Sequence, residues 1–419
     1  MFKFVHCADL HLDSPLRGLS AKPDAPVDEI RSATRRALLN LVDLCIEESV
    51  NFVVIAGDVY DGDWQDYSTG LFFNSCMVKL RDHGIPVFLI RGNHDAASNI
   101  TRRLVLPDNV VEFPVDRPST HIIDELNVAL HGQGYKQRDV WDNLAASYPD
   151  PVPGCFNIGL LHTSAEGQEG HERYAPCRIE ELVQKGYDYW ALGHIHKRQV
   201  LHENPYIVFP GNIQGRHIRE TGDKGCTLVT VDGSRVSIEH RSLDVIRWFV
   251  CPVDLSEVRT DEEFTSRVAD CMAELVEGNP GYPLALRVQL QGRTQLHRRL
   301  LQDMERYLSE IKNAANMLAD GRIWIEKVKF ETEPSIDVEK LAHRGDAITA
   351  LLRSVDFATL DVEFMEEFIL HVKAIQSRMG AYSKREDATR IESVDDVKPL
   401  LKDAQEILLE MMAKGGTSL

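Results

Sequence analysis

The sequence predicts an α/β protein that opens with a βαβαβ unit, continues into a small α+β domain and ends in a helical region. The first observation is that short apolar runs alternate with longer segments of helical periodicity over residues 1–95. The second is that strand signals stop at about residue 335, after which only helical periodicity remains. Strands that alternate with helices in this way are typical of a parallel sheet.

Three strands and two helices make up the opening unit. The strands are predicted over residues 2–7, 51–56 and 86–90, and the helices over 28–50 and 68–83. Continuous apolar runs of four to eight residues, bounded by turn residues, are consistent with buried strands. We therefore expect these three strands to lie inside the protein.

Further strand signals follow up to residue 241. Strands are predicted over 126–130, 157–161, 187–192 and 206–209. Two more runs, 226–231 and 236–241, flank Asp232-Gly233, which is a turn signal that indicates a hairpin.

The length of the chain favours two or three domains, and a change of pattern near 245–255 indicates a boundary. We predict a first domain over 1–250, an α+β capping domain over 251–335, and a helical region over 336–419. The capping domain is predicted to contain helices over 262–277 and 295–317 and strands over 284–290 and 323–330. The helical region is predicted to contain helices at about 337–355, 361–380 and 394–413, and to bind a partner.

Composition excludes several classes of protein. The net charge of −18 argues against simple electrostatic binding to nucleic acid, although a local basic channel remains compatible with it. The eight cysteines lack paired spacing, which indicates reduced thiols and a cytoplasmic location. The first residues run straight into a strand, so we expect no export signal. No apolar run approaches the roughly 20 residues that a membrane span needs, so we expect no membrane association.

Polar side chains that suit a metal follow five of the predicted strands. Because parallel strands present functional residues at their carboxyl ends, these side chains are candidates for one site. In order along the chain, they are Asp9, His11, Asp58, Asn93, His94, Asp95, His162, His194 and His196.

Seven of these residues are expected to bind metal, which is more than one transition-metal ion normally takes from a protein. They suit two divalent ions roughly 3.5–4 Å apart, with Asp58 as the natural bridge. Mixed oxygen and imidazole ligands favour manganese, iron or zinc over magnesium or calcium. Two such ions favour a phosphate ester as substrate. We expect His94 to act as general acid or transition-state stabiliser, and Asp95 to orient its ring.

Taken together, Asp9-x-His11, Gly57-Asp58, Gly92-Asn93-His94-Asp95, His162 and Gly193-His194-x-His196 resemble the motifs of the calcineurin-like metallophosphoesterase superfamily. Within it, the chain is similar to the SbcD-type DNA repair nucleases, and the segment 6–15 resembles their YhaO-like branch. The resemblance implies a β-sandwich flanked by helices. It also implies one metal ion held by Asp9, His11 and His196, another held by Asn93, His162 and His194, and Asp58 as the bridge. His94 would be the catalytic histidine.

The resemblance also implies a function. Such nucleases cut DNA from 3′ ends and nick single strands in double-strand-break repair, usually with manganese. They typically work with an SbcC-like coiled-coil ATPase that docks on C-terminal helices, and they often form homodimers. Basic residues near the motif loops are candidates for a groove that follows the DNA backbone: Arg91, Arg102, Arg103, Lys197, Arg198, Arg216, Arg219 and Lys224.

Two alternatives to a DNA nuclease use the same core. One is a small-molecule or nucleotide phosphoesterase, against which the added domains argue. The other is a scaffold that has kept the fold and lost the chemistry, against which the complete ligand set argues. No aromatic-basic repeat indicates a dedicated platform for single strands.

Overall fold

The computed structural model describes residues 1–14, 27–61, 67–97, 105–165, 174–319, 321–335 and 362–378, together with 393, 395–397, 401 and 404. These residues belong to two compact units. The first comprises Met1–Cys251, Cys271–Val288 and Lys312–Val328. The second comprises Pro252–Asp270, Gln289–Ile311 and the described residues from Lys329 onward.

The first sheet has six strands in the order β12-β11-β1-β2-β3-β4. Strands β1 to β4 are parallel, while β11 pairs with β1 and β12 in antiparallel fashion. The strands are β1 (Phe2–Cys7), β2 (Phe52–Ile55), β3 (Val87–Leu89), β4 (Val110–Glu112), β11 (Gly225–Asp232) and β12 (Arg235–Ser242). This arrangement confirms the predicted βαβαβ unit and the hairpin at Asp232-Gly233.

The second sheet has six strands in the order β5-β6-β7-β8-β10-β9. Its four central strands are parallel, and an antiparallel strand lies at each edge. The strands are β5 (Ser119–Ile123), β6 (Val128–Gly132), β7 (Phe156–His162), β8 (Tyr189–Gly193), β9 (Gln199–Glu203) and β10 (Tyr206–Phe209). The two sheets together form the β-sandwich that the sequence predicts.

A third, three-stranded sheet has the order β13-β14-β15, with strands Arg247–Asp254, Leu284–Thr294 and Ile323–Pro334. The α-helices are α1 (Val27–Glu47), α2 (Ser68–Asp82), α3 (Asn93–Ala97), α4 (Ile179–Gln184), α5 (Asp261–Glu277), α6 (His297–Gln302), α7 (Met304–Ala319) and α8 (Val362–Arg378). Short 3₁₀ turns span Asp124–Leu126 and Leu144–Ser147. Among the described helices, none has the length and apolar character that a bilayer crossing requires.

The two faces of the first sheet bury different sets of side chains. Because successive residues of a strand point to opposite faces, Phe4 and Phe52 face the second sheet, whereas Val5 and Val53 face helices α1 and α2. Further apolar residues cover the outer face of the second sheet, beside α4. The first unit is therefore layered as helices, sheet, sheet and helix, which explains why its central strands are apolar on both faces.

Phe4 lies at the centre of the layer between the sheets and should contribute strongly to stability. It is fully buried, stacks on Phe52 at a centroid distance of 4.9 Å and meets Tyr189 edge to face at 5.3 Å. We expect Phe4→Ala to lower the free energy of unfolding by about 3–5 kcal/mol, because it removes these contacts and leaves a cavity. Chemical denaturation would measure this. Leu71→Ala, at a side chain that is 63% exposed, is the control and should change little.

One predicted helix is divided in the structure, and the strands β4, β5, β9 and β13 and the helix α4 were not predicted. Residues 295–317 were predicted as continuous, but the chain forms α6 and α7, separated by Asp303 with φ −133°. The Asp303 carbonyl accepts the first hydrogen bond of α7, from the Tyr307 N–H. Aspartate favours helix starts over helix interiors, which accounts for the break. Helix α8 matches the helix predicted over 361–380. The helix predicted over 337–355 and most of that over 394–413 lie outside the described residues, and the three-domain division stays a prediction.

Candidate metal centre

The predicted ligands come together where five parallel strands end. Strands β1, β2 and β3 of the first sheet lead to Asp9, Asp58 and Asn93, while β7 and β8 of the second sheet lead to His162 and His194. Hydrogen bonds join the sheets at this edge. His162 Nδ1 lies 2.9 Å from the Ala56 carbonyl oxygen, and a second bond joins β1 to β8 through the His6 Nε2 atom. Both sheets thus contribute to one site.

A first group of ligand atoms belongs to Asp9, His11 and His196, which lie within 4.8 Å of one another. His196 Nδ1 donates to Glu220 Oε1 at 2.7 Å, so its Nε2 carries a lone pair. That Nε2 lies 3.0 Å from His11 Nε2. Nδ1 of His11 is buried and lies 3.5 Å from Asp61 Oδ1. Two imidazoles that face each other beside a carboxylate fit a divalent cation.

A second group surrounds His162. Its Nε2 lies 2.9 Å from Asn93 Oδ1 and 3.5 Å from Asp58 Oδ2, and its ring lies 5.2 Å from that of His194. Burial by itself lowers the pKa of His162. The charge of the nearby Asp58 outweighs burial and raises this pKa to about 9. Both nitrogen atoms of the ring face oxygen atoms, Nδ1 the Ala56 carbonyl and Nε2 the Asn93 side chain.

Asp58 lies where the two groups meet. Its Oδ2 is 3.8 Å from His11 Nε2 in the first group and 3.5 Å from His162 Nε2 in the second. Its Oδ1 accepts a hydrogen bond from the His94 N–H at 2.9 Å. A carboxylate in contact with both groups is placed as a bridging ligand must be.

Four of the candidate ligands have backbone conformations that L-residues rarely adopt. The φ angles are 53° for Asp9, 44° for His11, 53° for Asp58 and 103° for His194. Each such conformation costs on the order of 1–3 kcal/mol and persists only where neighbouring structure enforces it. Here the Asp9 and His11 N–H groups donate to the Gly57 and Asp58 carbonyls at 3.0 and 3.1 Å. Concentrated strain of this kind is typical of a functional site.

Glycines allow the ligand loops to approach one another closely. A Cβ atom at Gly92 would collide with the Asp58 carboxylate, and one at Gly193 would collide with the Ala56 carbonyl oxygen. No side chain larger than hydrogen fits at either place without movement of these groups.

The structure corrects the role that the sequence interpretation gave to Asp95. His94 Nδ1 lies 2.9 Å from Asp61 Oδ1, so Asp61 is the carboxylate that orients this ring. Asp95 instead accepts hydrogen bonds from the backbone N–H groups of Val59, Tyr60 and Gly92 at 3.0–3.2 Å. Asp95 therefore holds together the loops that follow β2 and β3.

His94 has the surroundings of a proton donor at the mouth of the site. About a third of its side chain is exposed, whereas the side chain of His11 is 1% exposed. Burial lowers the pKa of His94, but the hydrogen bond to Asp61 and the charge of Asp58 outweigh it and raise that pKa above its ordinary value. Bound cations would act in the opposite direction.

Arg216 contacts two carboxylates, one that pairs with His196 and one that pairs with His94. Its Nη2 donates to Glu220 Oε1 at 2.8 Å, and its Nη1 lies 3.6 Å from Asp61 Oδ2. Glu220 holds His196, and Asp61 holds His94. Sequence analysis assigned no role to Glu220 and placed Arg216 in a groove. Asp61 was also missed, although its position three residues after the candidate ligand Asp58 could have indicated it.

Two family models match the chain. The model described as calcineurin-like phosphoesterase matches residues 2–198, and the one described as metallophosphoesterase YhaO, middle domain, matches residues 248–333. The first match spans the strand-end residues His11, Asp58, Asn93, His162 and His196.

Three curated relatives are similar over most of the chain. An uncharacterized metallophosphoesterase YhaO from Bacillus subtilis (strain 168) is 37% identical over 293 residues, which are 69% of this chain and 71% of that protein. The DNA double-strand break repair protein Mre11 of Sulfurisphaera tokodaii is 22% identical over 62% of this chain and 67% of its own. Mre11 of Sulfolobus acidocaldarius is 20% identical over an alignment that covers 88% of this chain and 94% of the Mre11 chain.

Proposed function

The chain belongs to the calcineurin-like metallophosphoesterase family, and on this premise we propose that it is a two-metal phosphodiesterase acting on DNA. The observation that carries the proposal is the place of Asp58, in contact with both groups of ligand atoms. The reaction would be hydrolysis of a phosphodiester by water, which yields a phosphate monoester and an alcohol.

The proposed ligand sets follow the two groups. Asp9, His11 and His196 would hold one ion, while Asn93, His162 and His194 would hold the other, with Asp58 shared. When bound, two such ions clamp phosphate oxygens and lower the pKa of an attacking water. Oxygen and imidazole ligands suit manganese, which we propose as the metal, with iron or zinc as alternatives.

The chain's own residues would complete the reaction. His94 would donate a proton to the leaving oxygen, since its ring is partly exposed and is held by Asp61. Asp61 would hold the proton on His94 Nδ1 and stabilise the imidazolium form. Glu220 would keep the His196 Nε2 lone pair directed at the first ion.

Likeness to two Mre11 repair proteins, one of them aligned over 88% of this chain, supports DNA as the substrate. The basic residues give weaker support than the sequence analysis expects. Arg91 pairs with Glu112 at 2.6 Å, and Lys224 donates to the His196 carbonyl at 3.0 Å. Arg216 is paired as described above, and residues 102–103 lie outside the described part of the chain. Lys197 and Arg219 are the exposed cations of the set among the described residues.

Digestion by the purified full chain with Mn²⁺ tests the proposal. The substrates are 3′-labelled and 5′-labelled duplex DNA, labelled single strands and bis-p-nitrophenyl phosphate. We expect nicking of the single strands and stepwise loss of nucleotides from 3′ ends, both dependent on the metal. Absence of all hydrolysis together with absence of bound metal would instead identify an inactive scaffold.

A small-molecule or nucleotide phosphoesterase is the second candidate, and the internal pairing of Arg91, Arg216 and Lys224 favours it. Such an enzyme needs no long basic groove. Hydrolysis of the small diester without any cleavage of DNA would favour the small-molecule phosphoesterase over the DNA nuclease.

Partners remain proposals. We propose that an SbcC-like coiled-coil ATPase docks on the C-terminal helices, of which α8 is described. This helix buries Met365 and Ile369, while Phe364 and Leu370 are 45% and 69% exposed. We also propose a homodimer, on the resemblance to SbcD-type nucleases alone. Sedimentation of the chain with and without residues after 340 would test both assemblies.

Asp61→Asn should lower kcat without removing the metal ions. The change removes the negative charge that stabilises protonated His94 and keeps the size of the side chain. We expect kcat to fall by about 10- to 100-fold, a range typical of supporting residues in metal sites. Steady-state kinetics at saturating Mn²⁺, with metal content measured on the same samples, would check it. Asp82→Asn, at an exposed carboxylate paired with Arg81, is the control. Unchanged kcat would contradict the assigned role of Asp61.

A further inference from the structure

Trp141 is a large aromatic side chain that stays exposed although the loop around it is held firmly. It is 65% exposed. The preceding carbonyl, that of Val140, accepts a hydrogen bond from the Ala175 N–H at 2.6 Å. Two residues further on, the Asn143 side chain donates to Glu181 at 2.8 Å. The indole is therefore presented to solvent on a fixed backbone.

A row of rings leads from Trp141 to the metal centre. The indole lies 5.9 Å from the ring of Tyr174, centroid to centroid, with a tilt of 44°. Tyr174 in turn meets His194 edge to face at 5.6 Å. Tyr174 is only 5% exposed, whereas Trp141, at the outer end of the row, is largely exposed.

The loop is attached to the metal centre at a second point. Tyr135 donates to the His162 carbonyl at 2.7 Å, and its ring lies 5.4 Å from that of His162. Tyr135 and Tyr174 also pack in one apolar cluster with Ala96, which lies in α3 two residues after His94. Tyr135 and Tyr174 thus connect the loop that carries Trp141 to the candidate ligands.

We propose that Trp141 is a stacking subsite for an unpaired base of the DNA strand whose phosphodiester lies at the metal centre. The inference rests on the proposed function and adds to it a residue that would bind an unstacked base near the cleaved bond. Every base has a π-face, so a single indole would serve without sequence preference. The flanking exposed residues Arg138, Asp139 and Asp142 carry charges of both signs, so recognition of a base would depend on the face of the indole.

A consequence is a preference for single strands and frayed ends over intact duplex. A base inside a duplex is already stacked on both faces and cannot reach the indole until it is unpaired. This single platform is consistent with the lack of a repeated aromatic-basic pattern in the sequence.

The test compares wild type with Trp141→Ala and Trp141→Phe on two single-stranded oligonucleotides in Mn²⁺. One is ordinary, and the other is abasic at every position. Loss of one stacking contact should raise KM for the ordinary strand roughly tenfold in Trp141→Ala, and phenylalanine should restore most of the loss. For the abasic strand, we expect the KM values of the three proteins to agree within about twofold, because no base is present to stack.

Several outcomes would overturn the inference, and they are distinguishable. If wild type cleaves neither strand, the proposed DNA function itself fails. If wild type cleaves both strands and Trp141→Ala matches it on the ordinary one, the function stands and the subsite does not exist. An equal loss on both strands would reduce Trp141 to a structural role. If the alanine variant turns a dimer into a monomer by sedimentation, the indole is a contact between copies. Met317→Ala, at a large apolar side chain that is 87% exposed and has no proposed role, is the control.

Discussion

Asp58→Asn is expected to abolish hydrolysis almost completely, with a fall in kcat/KM of at least about 10³-fold, equivalent to about 4 kcal/mol. The reason is that one side chain contacts both ligand groups, at 3.8 Å from His11 Nε2 and 3.5 Å from His162 Nε2. An amide is nearly the same size but carries no charge, so it is a poor bridge between two cations. Metal content should fall from two ions per chain towards one or none.

The measurement pairs kinetics with metal analysis on the same protein. Asp116→Asn is the matched control, because that carboxylate is 69% exposed and pairs only with Lys136 among the described residues. Circular dichroism would verify that the variant remains folded. Retention of two ions and of activity within a factor of ten would remove Asp58 from the bridging position.

His94→Ala carries the second large effect, a fall in kcat of about 10²–10⁴-fold, which is the range of general acid catalysis. His94 is not one of the seven proposed ligands, so we expect both ions to remain bound. The structure sharpens this test, because His94 also lies within 4.8 Å of the ligand atoms of His11 and Asp58. Loss of metal together with activity would therefore make His94 a ligand and refute its role as the acid.

An exposed histidine supplies the control for that variant. His83→Ala removes an imidazole whose Nδ1 is bonded to the Lys79 carbonyl at the end of α2, before β3, whereas His94 follows β3. It should leave kcat and metal content unchanged. A leaving group of low pKa, such as p-nitrophenolate, needs less protonation, so the loss in His94→Ala should be smaller on that ester than on DNA.

The sequence could indicate the candidate ligands because they lie at the ends of five strands, where a local pattern is sufficient to find them. Strands β1, β2 and β3 are apolar on both faces, and Asp9, Asp58 and Asn93 come directly after them. The edge strands β4 and β5 escaped prediction because they are short and half exposed, so their pattern is weak. Their pairing depends on neighbours that only the tertiary structure supplies.

The supporting residues could not be predicted in the same way. Glu220 lies 24 residues after His196, in a segment without regular structure, and nothing in its neighbourhood indicates an imidazole partner. The assignment of Asp95, instead of Asp61, as the partner of His94 has a similar cause. Asp95 is adjacent to His94 in sequence, but neighbouring side chains on a short helix point in different directions. Asp61 reaches the ring from another loop.

The origin of the ligands in two different sheets makes metal binding and folding a single coupled equilibrium. A cation held by Asp9, His11 and His196 would cross-link β1 to β8 as a covalent staple does, though reversibly. By mass action, free metal at 100 times its Kd would add about 2.7 kcal/mol to the folded state for each independent site. The midpoint of thermal unfolding should thus rise with the manganese concentration. Conversely, a substitution that loosens the sandwich, such as Phe4→Ala, would weaken metal affinity from a distance.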